Sequence, residues 1–383
     1  MGKRILKIIL IALSYVLVVA LTVFATMALG HNKTAQIQDL IHAFYVDEEG
    51  LDYNKLEDAA ASAMVDALPD GWSYYISAEE YADYENSQAN VFVGIGVTIQ
   101  QNENGQTQIV SVNPGGGAQE AGVRIGDILV SVDGTDVTKM TTTEISNLVR
   151  GEEGTTVDLG LLREGTQVNV TAQRRTVQVQ IVTAELLEEK IGYVRISNFR
   201  ERSAEETIAA IDSLVEQGAE KLIFDVRGNG GGYKDEMVKV LNYLLPEGDL
   251  FRSVDYSGNE EVDKSDEKCL KLPMAVLMDG NSYSAAEFFA AALEEYEWAI
   301  TVGEPTVGKG HFQITYRLPD GSAVALSTGR YSTPKGVNLS EVGGLKPNVP
   351  AELNAEGKAK LYSGILPCEE DPQLQAAIAA LKS

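Results

Sequence analysis

The sequence predicts a multidomain α/β protein with an N-terminal transmembrane helix, a helical segment, a small β-rich module and a mixed α/β core. Three observations indicate this class. Residues 8–30 are apolar and uncharged, residues 91–176 alternate apolar and polar residues between turn signals, and residues 190–245 alternate strand and helix patterns. A chain of 383 residues also exceeds one ordinary hydrophobic core. We therefore divide it into residues 1–30, 31–90, 91–176 and 177–383.

The N-terminal run, residues 8–30, is long enough to span a bilayer as one helix. Lys3, Arg4 and Lys7 precede it, so the positive-inside rule places the N-terminus in the cytoplasm and the rest of the chain outside. A cleavable signal peptide is the alternative, because Thr26-Met27-Ala28 resembles a small-residue cleavage site. We favour an uncleaved single-pass anchor, since the apolar stretch is longer than the core of a usual signal peptide.

Composition excludes several classes of function. The 31 basic and 56 acidic residues give a net charge of −25, which argues against binding to nucleic acid or to anionic lipid. Cys269 and Cys368 could form a single disulfide, and their spacing matches no zinc-binding motif. The chain has three histidines and no HExxH pattern, so we expect neither a metal site nor a cofactor.

Residues 31–90 read as a helical and partly polar segment. Ile37, Leu40, Ile41 and Phe44 recur at helical spacing. Such a row of apolar residues is compatible with ordinary core packing. It is also compatible with a dimerisation helix, which would make the protein a homodimer.

Residues 91–176 form the predicted β-rich module, with one helix that begins near Thr141–Thr143. Within it, Gly94, Ile95, Gly96 and Val97 would present successive backbone N–H groups at a strand edge. Such an edge is suited to capturing the terminal carboxylate of a peptide and adding the peptide as a further strand.

The module resembles a PDZ domain in several pieces taken together. The matching pieces are Val93–Val97, Pro114–Ala118, Ala121–Leu129 and the turn Val132–Gly134. The resemblance implies that the module binds the free C-terminus of a protein or peptide.

In the remaining half, Ser284 and Lys309 are the candidates for a nucleophile and its base. A buried-looking strand ending near Met278 turns into a helix that Ser284 opens, where unpaired N–H groups favour developing negative charge. Lys309 lies between two glycines and before an apolar strand, so we expect a desolvated amine that can take a proton. Gln313 lies two strand repeats along and on the same face, where it is expected to orient the lysine.

A glycine-rich loop, Asp225–Tyr233, is expected to complete this site. It follows an apolar strand, Lys221–Val226, and lies beyond a helix for which Ser203 and Glu206 predict a capping box. Since glycine has no Cβ, the loop can approach a reacting group closely. We predict an oxyanion hole made by the backbone N–H of Gly231 or Gly232 and that of Ala285.

Two phosphate-binding motifs are nearly matched but are excluded. Tyr233 occupies the position where a GxGxxG loop beginning at Gly228 needs its last glycine. Residues 303–309 match the first seven positions of a Walker A loop, but Gly310 replaces the required Ser or Thr and a strand pattern follows. Neither segment is therefore expected to bind a nucleotide.

The catalytic half resembles the C-terminal processing peptidases, also called tail-specific proteases. The matching motifs are Ser282–Glu287, Gly303–Gln313, the loop Asp225–Gly232, and the tail segments Gly344–Val349 and Asp371–Leu374. The resemblance implies that Ser284 is the nucleophile, Lys309 the base and Gln313 its partner.

Three residues depart from the family pattern. Tyr283 replaces a small residue beside the nucleophile, Gly230 replaces a proline of the glycine loop, and His311 stands where the family usually has threonine. We expect Tyr283 to narrow the substrate pocket and Gly230 to loosen the loop. His311 should point to the strand face opposite Lys309, which argues against a Ser/His pair.

These expectations combine into a membrane-anchored serine endopeptidase that faces outside the cytoplasm. Its PDZ domain would bind the C-terminus of a protein substrate and feed the chain to Ser284. The alternative is a membrane-tethered PDZ scaffold whose protease half is inactive.

Overall fold

The computed structural model describes residues 33–102 and 104–382, and the chain divides into two compact units between Tyr75 and Ile76. Among these described residues, no helix has the length and apolar character needed to cross a membrane. The predicted anchor at residues 8–30 lies outside the described residues.

The first unit contains two helices, α1 (Lys33–Phe44) and α2 (Tyr53–Asp66). Asp52 caps α2 by accepting a hydrogen bond from the backbone N–H of Lys55 at 3.3 Å, as expected for an aspartate at this position. Glu48, in the connection between the helices, accepts hydrogen bonds from the Tyr53 hydroxyl and pairs with His42.

The next elements connect to and build the β-rich module. They are β1 (Tyr74–Ile76), α3 (Tyr81–Gln88), β2 (Val91–Gly94), β3 (Val97–Gln101), β4 (Thr107–Val112), α4 (Gly117–Glu120), β5 (Ile128–Val132), β6 (Thr135–Asp136), α5 (Thr142–Val149), β7 (Thr156–Arg163), β8 (Thr166–Gln173) and β9 (Arg175–Gln178).

The β-rich module is organised around an antiparallel sheet in the order β3-β4-β5-β7-β8, while β2 pairs with β9. Alternate residues of the strands point inward, and Ile109, Leu129 and Leu161 are among the buried core side chains. Helix α5 begins at a capping box in which Thr141 and Glu144 satisfy each other's backbone N–H groups.

The remaining elements form the catalytic half. They are β10 (Val182–Leu187), a 3₁₀ turn (Glu188–Lys190), β11 (Ile191–Ile196), α6 (Ser203–Glu216), β12 (Lys221–Asp225), α7 (Lys234–Leu244), β13 (Gly248–Asp255), β14 (Glu260–Ser265), β15 (Met274–Met278), α8 (Ala285–Glu295), β16 (Ala299–Gly303), β17 (His311–Arg317), β18 (Ala323–Ser332), α9 (Leu339–Val342), β19 (Val349–Pro350), α10 (Ala355–Tyr362), a 3₁₀ turn (Cys368–Glu370) and α11 (Pro372–Ala380).

A six-stranded sheet in the order β10-β11-β12-β15-β16-β19 forms the core of this half. Within this sheet β11, β12, β15, β16 and β19 run parallel to one another, whereas β10 is antiparallel to β11. Alternating residues of β12 face opposite layers: Phe224 packs with helices α6, α7 and α8, whereas Ile223 packs with Leu374 of α11. Both faces are covered, as the continuous apolar character of the strands predicts.

A second, antiparallel sheet lies beside this core. Its long strand β18 pairs with β17 along most of its length and with β13 near its end, and β13 pairs with β14. Phe251 of β13 and Tyr331 of β18 pack on Phe288 of α8, so the second sheet is attached to the helix that follows Ser284.

The predicted capping box at the start of α6 is wrong. The residue that precedes the helix is Arg202, which has a left-handed backbone with φ 71° and pairs with Glu206. Glu236 of α7 instead accepts the hydrogen bond of the Ala204 N–H at 2.9 Å. The two N–H groups that a capping box would satisfy, those of Ser203 and Glu206, donate instead to the backbone carbonyls of Arg200 and Arg202.

The two cysteines, Cys269 and Cys368, are both free and partly buried. The disulfide that the sequence left open is not formed in this structure.

Candidate active site

The parallel sheet determines where the predicted site residues meet. The glycine loop follows β12, the serine segment follows β15 and the lysine segment follows β16, and these three strands are neighbours in the sheet. Because the carboxyl ends of parallel strands lie at one edge, all three segments emerge together. Two backbone hydrogen bonds connect them directly, from Tyr283 N–H to Asn229 O (3.1 Å) and from Val307 N–H to Ser282 O (3.2 Å).

Ser284 occupies a sharp turn between β15 and helix α8. Its backbone has φ 58° and ψ −129°, a region that only glycine adopts without strain. The side chain is 4% exposed, and helix α8 begins at the next residue. A strained turn from strand to helix aims the hydroxyl away from the sheet edge and places it beside the unpaired N–H groups of the helix.

One buried carboxylate connects the serine to the lysine. Glu287 Oε2 accepts hydrogen bonds from the backbone N–H groups of Ser284 (2.8 Å) and Lys309 (2.9 Å). Its Oε1 accepts from Gly308 N–H (2.6 Å) and from the Thr306 hydroxyl (2.5 Å). Burial raises the pKa of Glu287 above its ordinary value, although these hydrogen bonds act in the opposite direction.

The Lys309 ammonium is held from the far side by Gln313. Lys309 Nζ donates to Gln313 Oε1 at 2.6 Å, and Gln313 Nε2 donates to Ser327 Oγ at 2.9 Å on the facing strand. Ser327 is the cross-strand partner of Gln313, so the ladder between β17 and β18 fixes the amide orientation. The neighbouring His311 has a buried Nδ1 without a hydrogen-bond partner among the described residues.

The glycine loop lies directly against the serine. A Cβ on Gly231 would lie 2.8 Å from Ser284 Cβ and 2.9 Å from the backbone nitrogen of Ala285, and Gly231 has φ 84°. Gly231 N–H donates to Asn229 Oδ1 at 2.8 Å. For Gly232, the described residues provide no hydrogen-bond acceptor for the N–H. Only glycine fits so close to Ser284 in this conformation.

Asp279 ties the serine segment to the glycine loop. Its Oδ1 accepts from the N–H groups of Gly228 and Asn281, both at 3.0 Å, and its Oδ2 accepts from the Tyr362 hydroxyl of α10. Burial, followed by the hydrogen bond to Asp279, raises the pKa of Tyr362 to about 12. The phenol is therefore a permanent donor at neutral pH.

The C-terminal segment is anchored to the root of the glycine loop by Arg227. This guanidinium binds Asp225 through two nitrogens (2.9 and 2.6 Å), Asp371 at 2.8 Å and Gln373 Oε1 at 2.9 Å. Burial alone would raise the pKa of Asp225, but Arg227 outweighs it and lowers that pKa overall. The matched tail motif thus supports the loop that borders Ser284.

Tyr283 and Gly230, two of the departures from the family pattern, lie against each other. A Cβ on Gly230 would lie 2.6 Å from the Tyr283 hydroxyl oxygen, and Lys309 Nζ is 6.0 Å from the centre of the Tyr283 ring. The glycine therefore makes room for a tyrosine that also borders the base. The two substitutions are physically coupled in this chain.

We expect Gly230→Ala to disturb the site only when Tyr283 is present. In the wild-type background the new methyl group displaces the phenol, and peptidase activity should change several-fold. In a Tyr283→Ala background the space is empty, and Gly230→Ala should be neutral. A double-mutant cycle on kcat/KM should give a coupling of about 1 kcal/mol, and additive effects would contradict the pairing.

In the PDZ module, Gly94, Ile95, Gly96 and Val97 join β2 to β3. They border an apolar cavity of about 160 Å³ whose far side is helix α5, with Val149 and Arg150. Gly96 has φ 80°, and its carbonyl accepts from Asn113 N–H. Among the strands of residues 33–102 and 104–382, β3 pairs only with β4, which leaves its other edge for an added strand.

Helix α3 links the two sides of the catalytic cleft. The Tyr84 hydroxyl lies 2.9 Å from Thr315 Oγ1 of β17, whereas Ser87 Oγ accepts a hydrogen bond from Arg200, which lies next to the glycine loop. Asn90, at the start of the PDZ module, donates to Glu201 O at 2.8 Å. The chain that enters the PDZ module is thus bonded to both borders of the site.

Sequence reasoning missed several residues that shape this site. Glu287 was recognised only as part of a motif, and Asp279 was not singled out. The sequence offered one signal for these contacts, the position of Glu287 three residues after Ser284. An acidic residue that is buried at such a position needs hydrogen-bond donors nearby.

Comparison with known proteins agrees with this geometry. Residues 190–351 match the model of peptidase family S41, and residues 108–163 match a PDZ domain. The carboxy-terminal processing protease CtpA of Bacillus subtilis (strain 168) is 35% identical over 79% of this chain, which spans 65% of that protein. The chloroplastic C-terminal processing peptidase of Tetradesmus obliquus is 30% identical, with 80% of this chain and 70% of that protein covered.

The solved structure of a photosystem II D1 C-terminal processing protease is also similar. It superposes with a TM-score of 0.50 and 27% identity, covering 89% of this chain and 97% of that one. Together with the strained serine and the adjacent lysine segment, these matches establish the class of protein. The chain belongs to peptidase family S41 and is a serine peptidase that carries a PDZ domain.

Proposed function

We propose that this protein is a membrane-anchored endopeptidase that cleaves extracytoplasmic proteins recognised through their C-termini. The observation that carries the proposal is the shared acceptor at Glu287, which binds the backbone N–H groups of both Ser284 and Lys309. A Ser/Lys mechanism needs a nucleophile and a base that are held close to each other. Here the serine on its strained turn and the lysine segment are bonded to the same carboxylate.

In the proposed mechanism, Ser284 Oγ attacks the scissile carbonyl carbon while Lys309 Nζ, as the neutral amine, takes the serine proton. Gln313 orients that amine through its carbonyl oxygen. The oxyanion would be bound by Ala285 N–H at the start of α8 and by an N–H of Gly231 or Gly232. Gly232 is the better supported of the two, because Gly231 N–H already donates to Asn229.

Collapse of this tetrahedral intermediate breaks the C–N bond, and the Lys309 ammonium returns its proton to the leaving amine. An acyl-enzyme on Ser284 remains. Water, deprotonated by Lys309, then attacks the ester carbonyl. The C–O bond to Ser284 breaks, Lys309 returns the proton to Ser284 Oγ, and the new C-terminus is released. The reaction uses only side chains and backbone of this chain together with water.

The PDZ module is proposed to select the substrate. The open edge of β3 would pair with the last residues of an extended chain, and the loop Gly94–Val97 would bind its terminal carboxylate. The apolar cavity behind that loop, bordered by Ile99 and Leu129, suits an apolar last side chain. Proteins with a free C-terminus are therefore the expected partners.

Anchoring by residues 8–30 would keep both modules outside the cytoplasm. The apolar residues that recur at helical spacing in α1 make a homodimer a further prediction. Anchoring is supported by the length and charge flanks of the apolar run. Retention of the full chain in membranes after an alkaline carbonate wash is the expected result, and its release would contradict the anchor.

The proposal is tested with two versions of one unstructured peptide, which differ only in a free or an amidated C-terminus. The full chain should cleave the free acid with a kcat/KM at least about tenfold higher, because the amide lacks the charge that the carboxylate loop binds. Equal cleavage of both peptides would contradict recognition of the C-terminus. Carboxylate-dependent binding without cleavage would instead support the non-catalytic scaffold.

A further inference from the structure

Asn229 lies in the glycine loop, between the end of β12 and the three successive glycines, and it is completely buried. Its Nδ2 donates to the carbonyl oxygen of Ile196, the last residue of β11, at 2.9 Å. Its Oδ1 accepts from the N–H of Gly231 at 2.8 Å. The side-chain amide therefore ties the middle of the glycine loop to the end of the neighbouring strand in the parallel sheet.

The peptide unit between Gly231 and Gly232 is held from another direction by Phe199. The Phe199 N–H donates to Gly231 O at 2.8 Å, and Phe199 O accepts from Tyr233 N–H at 2.6 Å. The peptide unit is trans, so its C=O and N–H groups point in opposite directions. Because the Gly231 carbonyl points toward Phe199, the Gly232 N–H must point away from it.

The Asn229 amide thus decides which N–H of the loop is left for an incoming oxygen. It occupies the N–H of Gly231, whereas the N–H of Gly232 has no acceptor among the described residues. The loop is also close to the serine, because a Cβ on Gly231 would lie 2.8 Å from Ser284 Cβ. Gly231 and Gly232 have φ of 84° and 152°, and glycines can adopt other orientations unless partners fix them.

The backbone of Asn229 is bonded to the serine segment as well. Its carbonyl oxygen accepts from the N–H of Tyr283, the residue before Ser284, at 3.1 Å. The same residue therefore fixes the donor loop through its side chain and the turn of the nucleophile through its backbone. A donor that is fixed in this way needs no reorganisation when negative charge develops beside it.

We infer that Asn229 is a positioning residue for the oxyanion hole. Its side chain holds the glycine loop in the orientation in which Gly232 N–H, and not Gly231 N–H, binds the oxyanion. The inference rests on the Ser284 chemistry proposed above. Asn229 transfers no proton and acts only through the loop: Ile196 O fixes the amide, and the amide fixes Gly231.

Two variants separate the hydrogen bonds of this amide. Asn229→Ala removes both, whereas Asn229→Asp keeps the size and the acceptor for Gly231 but loses the donor to Ile196. Asn242→Ala is the matched control. Asn242, near the end of α7, also accepts from a backbone N–H, that of Asp266 at 2.7 Å, and donates to the Asp266 carboxylate.

Wild type, N229A, N229D, N242A and Ser284→Ala are compared as full chains. The first readout is kcat and KM for an unstructured peptide, expressed per folded molecule with the folded fraction taken from circular dichroism. The second readout is inhibition by a peptidyl boronic acid. Ser284 Oγ adds to its boron, and the tetrahedral adduct places an oxygen in the oxyanion hole. The same peptide with a carboxamide in place of the boronic acid forms no adduct and measures ground-state binding.

We expect N229A to lose kcat by about 30-fold or more with KM within about twofold of wild type, because a misplaced oxyanion donor weakens only the transition state. The boronic acid should bind more weakly by a similar factor, while the carboxamide should bind as it does to wild type. N242A should match wild type in all of these values per folded molecule.

N229D tests the hydrogen bonds themselves. Its ionised carboxylate cannot donate to Ile196 O, so kcat relative to wild type should be low at mildly alkaline pH. Burial favours the neutral acid, which regains a donor as pH falls. The ratio of kcat to that of wild type at the same pH should then rise by about threefold or more.

A kcat of N229A within about threefold of wild type per folded molecule would overturn the inference, since loss of an oxyanion donor costs far more. Equal weakening of the boronic acid and the carboxamide would also overturn it, as would an N229D ratio that does not change with pH. If N229A does not fold, the N229D ratio and its boronic acid binding decide alone. Failure of wild type to cleave the peptide, or cleavage by S284A, would instead refute the proposed function.

Discussion

Replacement of Ser284 by alanine is expected to abolish peptide cleavage while the protein stays folded. Removal of the attacking oxygen leaves no nucleophile to form the acyl-enzyme, and the loss should be on the order of 10⁴-fold or more in kcat. The Ser284 side chain is buried and small, so the alanine leaves the packing of Phe288 and Phe289 behind it intact. Cleavage of an unstructured peptide, followed by chromatography, measures the effect.

Stability gives an independent check on the geometry at this position. Ser284→Ala keeps a Cβ at φ 58°, whereas Ser284→Gly removes it. The glycine variant should therefore be more stable than the alanine variant by about 1 kcal/mol, while both are inactive. If glycine were the less stable of the two, the strained turn would not be present in solution.

An exposed serine of α6 provides the matched control. Ser213→Ala removes a hydroxyl that accepts only from Gln217, and it should change neither activity nor stability beyond about 0.5 kcal/mol. Undiminished proteolysis by the Ser284→Ala variant, with Ser213→Ala also active, would refute the assignment of the nucleophile.

The pairing of Lys309 with Gln313 and the position of Ser284 at a helix start could be predicted because both depend on local sequence. Gln313 lies four residues after Lys309, and the two side chains do pair, although Lys309 precedes β17 and a bulge at Phe312 and Gln313 interrupts the alternation that predicted a shared face. Ser284 stands at the junction of an apolar strand and a helix, which periodicity also reveals. The placement of all three loops at one sheet edge then follows from parallel strands alone.

The supporting contacts could not be predicted in the same way, because their partners are distant in the chain. Arg227 reaches Asp371 and Gln373, and Tyr362 reaches Asp279, through side chains that no spacing connects. Each pair depends on where a C-terminal helix packs in the folded protein. Local patterns contain no information on that position.

A local pattern also misled where a tertiary partner competed with it. Ser203 and Glu206 have the spacing of a capping box, but the Glu206 carboxylate pairs with Arg202, and Glu236 of a neighbouring helix accepts from the adjacent N–H of Ala204. At Thr141 and Glu144, where no such competitor is present, the same pattern forms as expected. The contact between Gly230 and Tyr283 was also not predicted, because these two departures from the family pattern were interpreted separately.

Replacement of Glu287 by glutamine is expected to inactivate and destabilise the protein together. All four partners of the carboxylate are donors: three backbone N–H groups and the Thr306 hydroxyl. A glutamine amide accepts on one side only, so its NH₂ group must face two donors whichever way it is turned. Each buried donor that loses its acceptor costs about 1–3 kcal/mol, and we expect a loss of about 3 kcal/mol or more in unfolding free energy.

Activity should fall beyond what the lost stability explains. The same carboxylate oxygen positions the backbones of Ser284 and Lys309, and displacement of a catalytic group by about 1 Å typically costs about 100-fold in rate. Activity per folded molecule, with the folded fraction measured by circular dichroism, should therefore drop about 100-fold in Glu287→Gln. A variant that is destabilised but fully active per folded molecule would show that Glu287 serves only the fold.

Glu294, two turns along the same helix, supplies the matched control. It accepts hydrogen bonds from Thr301 Oγ1 (2.9 Å) and Asn348 Nδ2 (3.1 Å) and contacts neither catalytic segment. Glu294→Gln can keep one acceptor for these partners, so it should cost no more than about 1 kcal/mol and leave the rate unchanged. Equal losses in the two variants would contradict a special role for Glu287.

Acid perturbs the same carboxylate in a different way, because protonation of Glu287 turns one of its two acceptor oxygens into a donor. Burial raises the pKa of Glu287 above the unfolded value of 4.5, so the native state binds this proton first as pH falls. Between those two pKa values the contribution of this group to stability increases as pH falls, while the site loses its shared acceptor. We therefore expect activity to decline in mild acid before the protein unfolds, and simultaneous loss of activity and circular dichroism signal would contradict this order.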